Sequence, residues 1–143
     1  MANRSKSSRP APKRRQQHYL VQFSYTNAAW ENLLKDYEHR DRVKAVEALV
    51  ARLGGCIGRV TFPCEDPGVP REGKFGAFGD HDVVVLIAFP SDDAAASFAM
   101  AISAGGAVKS IKTTRILPWP EMMSAMAAAA DSRASYVPPG KGR

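Results

Sequence analysis

The sequence predicts an α+β fold, a single domain in which helices cover one face of an antiparallel sheet. Three observations predict it. Strand-like and helix-like stretches follow one another as strand, helix, strand, strand, helix, strand along the chain. The 143 residues, 45% of them hydrophobic, suit one core and leave no room for a second domain. One stretch, residues 78–90 (FGDHDVVVLIAFP), runs from a glycine turn into seven consecutive apolar residues and so belongs at the centre of the sheet.

The charge of +6 prompts a nucleic-acid hypothesis until it is located. Residues 1–17 hold Arg4, Lys6, Arg9, Lys13, Arg14 and Arg15, six of the 20 basic residues, and the other 14 balance the 14 acids. The domain itself is neutral. No run approaches the ~18 apolar residues of a membrane span, and the start lacks an apolar signal core, so a soluble, cytoplasmic protein without membrane partners is expected. Cys56 and Cys64 flank a predicted strand; an extended connection holds them on the order of 20 Å apart, beyond disulfide reach, so both are expected as free thiols without a metal role. No cofactor is called for.

Taken in order, residues 1–17 are rich in Ser, Pro, Arg and Lys and lack apolar periodicity, so they are expected to be a disordered basic tail. A solvated extension is preferred there to attachment to nucleic acid or acidic lipid, with a transit peptide as a third alternative. The domain proper is set at residues 18–130. Residues 18–26 (HYLVQFSYT) alternate Tyr19, Val21, Phe23 and Tyr25 against Leu20, Gln22 and Ser24, which makes them the first strand. Thr26 or Asn27 then caps a helix.

Residues 30–53 are helical but not straight. Trp30, Leu33, Leu34 and Tyr37 form one stripe, and Val43, Val46, Leu49, Val50 and Leu53 form another on nearly the opposite side, so a break is expected at residues 36–41. Gly54 and Gly55 end the helix. Residues 56–62 (CIGRVTF) read as the second strand. Residues 63–76, with three prolines and three glycines, read as a long loop leading to the glycine turn.

Residues 82–89 form the third strand, and both of its faces are apolar: Val83, Val85, Ile87 and Phe89 on one, Val84, Leu86 and Ala88 on the other. Helices can cover only one face. A ligand or a second subunit must cover the other. Ser91, followed by Asp92 and Asp93, opens a second helix that Gly105 and Gly106 stop. Residues 108–117 (VKSIKTTRIL) have the polar punctuation of an edge strand. A short Met- and Ala-rich helix over residues 121–130 and a loose tail over residues 131–143 complete the chain.

Two right-handed βαβ halves of this kind make a ferredoxin-like βαββαβ plait, with antiparallel sheet order 4-1-3-2 and the two most apolar strands in the middle. The economical cover for the surplus apolar face is a homodimer packed sheet on sheet, with Val83, Val84, Val85, Leu86 and Ile87 as its candidate face.

Several stretches, in order, also resemble one family. The FSYT of residues 23–26, the helix ending at Gly55, the FGDHDVVV of residues 78–85, the PSDDAAA of residues 90–96 and the GGAVKSIKTTRIL of residues 105–117 are together similar to the GYD domain family. The resemblance covers about residues 18–128. It implies a dimeric α/β-barrel relative of the ferredoxin-like fold without an established activity. The family signature is Gly-x-Tyr-Asp; this chain has Gly79, Asp80, His81 and Asp82, with histidine in the tyrosine position, and residues 63–74 read as an insertion.

The antiparallel arrangement places Tyr25, Arg59, Phe62 and His81 at one end of the sheet. Such a set offers a phenol, a guanidinium, an apolar floor and an imidazole able to exchange protons near neutrality, and could bind a small anionic or aromatic ligand. His81 and Asp82 are not a dyad, because strand neighbours point to opposite faces. Asp82 is read as a residue that bonds local amides, and His81 as structural in preference to catalytic. The preferred function is a homodimeric small-molecule-binding or assembly domain. The alternatives are a cofactor-free dimeric-barrel enzyme, a monooxygenase or isomerase, using His81, and a nucleic-acid adaptor acting through the tail.

Overall fold

The computed structural model describes residues 15–38, 42–61 and 70–140. Within them lie seven strands and four α-helices: β1 (Gln17–Tyr25), α1 (Asn27–Lys35), α2 (Arg42–Arg52), β2 (Cys56–Ile57), β3 (Arg59–Thr61), β4 (Pro70–Glu72), β5 (Lys74–Gly76), β6 (Val83–Phe89), α3 (Asp92–Ala104), β7 (Val108–Ile116) and α4 (Trp119–Ser132). The expected break in the first helix is present, with turn residues 36–38 following α1 and α2 beginning at Arg42. The tail expected over residues 1–17 lies outside the described residues up to residue 14, and Gln17 already begins β1.

The main sheet is antiparallel and runs β2-β6-β1-β7, with β5 also paired to β6. Its central pair is in register from Gln17 opposite Phe89 to Phe23 opposite Val83. Odd-numbered residues of β1 and β6 point inward. Tyr19, Val21, Phe23, Val85, Ile87 and Phe89 join Val50 of α2 and Ala95 and Phe98 of α3 in one buried cluster. Phe89 and Phe98 are fully enclosed and meet with ring centroids 5.5 Å apart. Burying each such side chain stabilises the fold by about 1.5–3 kcal/mol.

The caps follow the sequence. Thr26 accepts from the Ala29 amide at α1, and Ser91 accepts from the Ala94 amide at α3, each at 3.2 Å. Gly54 closes α2 at φ +76°, a left-handed conformation that costs glycine little.

Residues 56–76 depart from expectation. The second strand divides at Gly58, and the expected loop contains two strands. β3 and β4 leave the main sheet: among the described residues they pair with each other, with Arg59 opposite Glu72. β2 and β5 lie end to end along β6, at Ile87–Ala88 and Val83–Val85, so together they fill the place of one edge strand. A neck joins them. The Gly58 amide donates to the Leu86 carbonyl (2.7 Å), the Gly73 amide to the Gly58 carbonyl (2.8 Å) and the Leu86 amide to the Gly73 carbonyl (2.7 Å). A Cβ at Gly58 or Gly73 would stand 3.3 or 3.0 Å from the Leu86 Cβ, so glycine allows the close approach.

The first apolar stripe is a second departure. Ala29 is the buried residue of α1, whereas Trp30, Leu34 and Tyr37 are exposed. The C-terminal helix α4 buries none of its residues; Met122, Met123 and Met126 all stand open. No described helix is long and apolar enough to cross a membrane.

Candidate functional site

The glycine turn before β6 is fixed to the end of β1 by Asp82. Its amide donates to the Phe23 carbonyl (3.0 Å), and its carboxylate Oδ2 accepts from the Tyr25 amide (2.8 Å) and from the indole Nε1 of Trp30 (3.2 Å). Its carbonyl takes the Ala77 amide (2.8 Å), and the Ser24 hydroxyl donates to the Asp80 carbonyl (3.2 Å). Asp82 is expected to bond local amides of its own turn; its carboxylate instead reaches residues more than fifty positions away and ties the turn, the end of β1 and α1 together. Tyr25 is held between two rings as a result, edge-on to Phe23 and to Trp30 with centroids 5.5 Å apart in each case.

Of the four residues expected to gather at one end of the sheet, Tyr25, Arg59 and His81 are described, and they stand apart. Tyr25 points to the inner side, towards the helices. His81 lies on the outer side, in a shallow depression of about 240 Å³ with Gln22, Phe78 and Val84. Its Nδ1 is buried and has no hydrogen-bond partner among the described residues. Arg59 is exposed on the β3–β4 hairpin, and Phe62 lies outside the described residues. Opposite faces of one sheet cannot contribute to one pocket.

The alternation of β6 also divides the five residues assigned to a dimer face. Val85 and Ile87 are 2% exposed in the core of their own chain, with Val83 packed beside them. Val84 and Leu86 alone are on the outer face.

A two-lobed concavity lies on the inner side, beneath α2. One lobe of about 270 Å³ is walled by Phe23, Tyr25, Val46, Val83 and Val85 and bordered by Lys74. A neighbouring lobe of about 260 Å³ shares Phe23, Tyr25 and Val46 and extends to Leu49, Ile102 and Val108. Among the described residues, Lys74 is the charged side chain of the two linings. It reaches Glu47 of α2 and Glu72 of β4, each at 2.5 Å. Burial disfavours its ammonium, but hydrogen bonds to Glu47 and Glu72, and their charges, outweigh that and raise its pKa above the ordinary lysine value.

Sequence reasoning placed Lys74 in a loop and so missed it. The available signal was short: Lys74 and Gly76 alternate around Phe75, a strand pattern of only three residues. Among the described residues, no group of three or more His, Cys, Asp or Glu is arranged to hold a metal ion.

Comparison with known proteins bears out the family resemblance. A family model described as the GYD domain matches residues 19–126. No curated protein matches the chain.

Proposed function

The chain belongs to the GYD domain family, and from that premise we propose that it works as a homodimeric binding domain, a ferredoxin-like plait of the dimeric α/β-barrel type whose outer sheet faces pack together. The observation that carries the reading is the outer face of the central strands, whose apolar side chains are only partly covered by the described residues. Leu20, Val84, Leu86 and Ile116 share that face through the registers Leu20–Leu86, Gln22–Val84 and His18–Ile116, and none of the four is fully buried within one chain.

The size of the surface supports it. A four-strand face about 30 Å long offers roughly 500 Å², more than half of the ~800 Å² that each partner contributes to a stable interface. Phe78, wholly exposed, and the unpartnered Nδ1 of His81 lie at one end of the same face. A second copy would give the ring a cover and the imidazole a hydrogen-bond partner.

Light scattering on the full chain tests the proposal. The expected result is a particle of twice the 15.5 kDa chain mass. A Leu20→Lys, Val84→Lys variant is expected to become monomeric with its far-UV spectrum unchanged. A wild-type chain that is monomeric at micromolar concentration overturns the reading.

A further inference from the structure

We infer that the two-lobed cleft beneath α2 binds an uncharged aromatic ring compound carrying a hydrogen-bond acceptor such as a ketone oxygen, and that Lys74 with Glu47 and Glu72 selects it over its carboxylate analogues. The inference rests on the reading of the chain as a binding domain but not on its being a dimer, since every lining residue belongs to one protomer.

The shape and the walls set the ligand class. The adjoining spaces of about 270 and 260 Å³ lie against the core, open to solvent and walled by apolar side chains, so a ring can enter from outside and bury its faces there. Their shared wall consists of Phe23, Tyr25 and Val46, two aromatic rings and a branched aliphatic group, which favours a flat ring inserted against them.

The charges at the border set the ligand's polarity. An ammonium has three donors, and those of Lys74 meet two carboxylates, leaving one donor for a further acceptor. One cation between two anions carries a local excess of negative charge. A ligand carboxylate would meet that repulsion, whereas a neutral ketone accepts the remaining hydrogen without it. A ligand ammonium would be drawn to that excess, but against the apolar wall it would lose its hydration without a carboxylate of its own, since Glu47 and Glu72 are already engaged by Lys74.

Gly76 provides a way to close the lobe without disturbing the fold. It stands opposite Val83 in register and lines the lobe, and a Cβ built on it meets no atom within 4 Å. Gly76→Leu therefore projects into the cleft instead of into packed atoms.

The test uses four probes with one ring system: 2-acetylnaphthalene, 2-naphthoate, 2-naphthylmethylammonium and unsubstituted naphthalene. Binding to the full chain is followed through the methyl NMR signals of Val46, Val83 and Val85. Saturable shifts of those methyls are expected with the ketone, at an affinity at least about tenfold above that of either charged analogue. Gly76→Leu is expected to lose the shifts while keeping the wild-type melting temperature, and Lys74→Met to reduce the preference for the ketone over unsubstituted naphthalene. No saturation by the ketone at its solubility limit, equal binding of a charged analogue, or unchanged binding to Gly76→Leu each overturns the inference. A monomer that still binds the ketone overturns the dimer alone, and a dimer that does not bind it overturns this site alone.

Discussion

Tyr19 illustrates how a single side chain in the core can retain a polar task. Its ring is buried against Phe89, while its hydroxyl donates to Asp92 Oδ1 (2.5 Å) and lies 2.8 Å from Gln17 Oε1. Arg115 donates to the same Asp92 oxygen (3.3 Å), and its guanidinium carbon sits 5.9 Å from the Tyr19 ring centre. Burial, followed by the hydrogen bond to Asp92 and the charge of Asp92, pushes the phenol up to about 12 from 10.0, against a smaller opposing effect of Arg115. A folded-state pKa above the unfolded one gives a contribution fully present below pH 10 and lost as pH rises towards 12. Absorbance at 295 nm should thus show one of the four tyrosines ionising near pH 12, and Tyr19→Phe should remove that transition. Asp82 makes a comparable prediction. Asp82→Ala leaves the Tyr25 amide and the Trp30 indole without their acceptor and should cost about 1–3 kcal/mol in urea unfolding, whereas Asp82→Asn, which keeps an acceptor oxygen, should cost less.

At the scale of elements, glycines decide where strands can approach and where they must part. Gly55, between α2 and β2, has its α-carbon face against β6: a Cβ there would stand 2.6 Å from the Ala88 carbonyl oxygen and 2.7 Å from the Phe89 ring. Gly55→Ala should consequently lower stability by about 1–3 kcal/mol, seen as an earlier thermal transition. The apolar alternation of β1, the run of β6, the break between α1 and α2 and the caps at Thr26 and Ser91 were all legible in the sequence because each has a local cause. The path of residues 56–76 was not. Whether Gly58 continues a strand or ends it depends on Gly73 closing a hydrogen-bonded neck against Leu86, a contact between residues distant along the chain. Prolines at 63, 67 and 70 suggested a loop, yet Pro70 fits β4 because that strand pairs on one side only.

For the molecule as a whole, the sheet presents two different surfaces. Its inner side joins a closed core around Phe89 and Phe98 to an open cleft around Tyr25; its outer side carries Leu20, Val84 and Leu86 without a helix of its own chain packed into a core. The double apolarity of β6 made an apolar outer face legible beforehand. It also led to five consecutive residues being assigned to one face, where the pleat allots Val84 and Leu86 to the outside and Val85 and Ile87 to the inside. The candidate site was less legible still, for Tyr25 and His81 are close in the strand diagram but separated by the thickness of the sheet, and Lys74 becomes visible only once β5 is paired with β6.

β6 has a different significance before the chain has folded. Val83–Phe89 contains no charge, proline or glycine, a composition that stacks readily against copies of itself when exposed. Acidic residues stand at both of its ends, Asp80 and Asp82 before it and Asp92 and Asp93 just beyond Pro90. In an array of such segments these carboxylates would be brought side by side, and their repulsion opposes the array. Asp82, which clamps the end of β1 in the folded domain, thus also guards the newly made chain against aggregation.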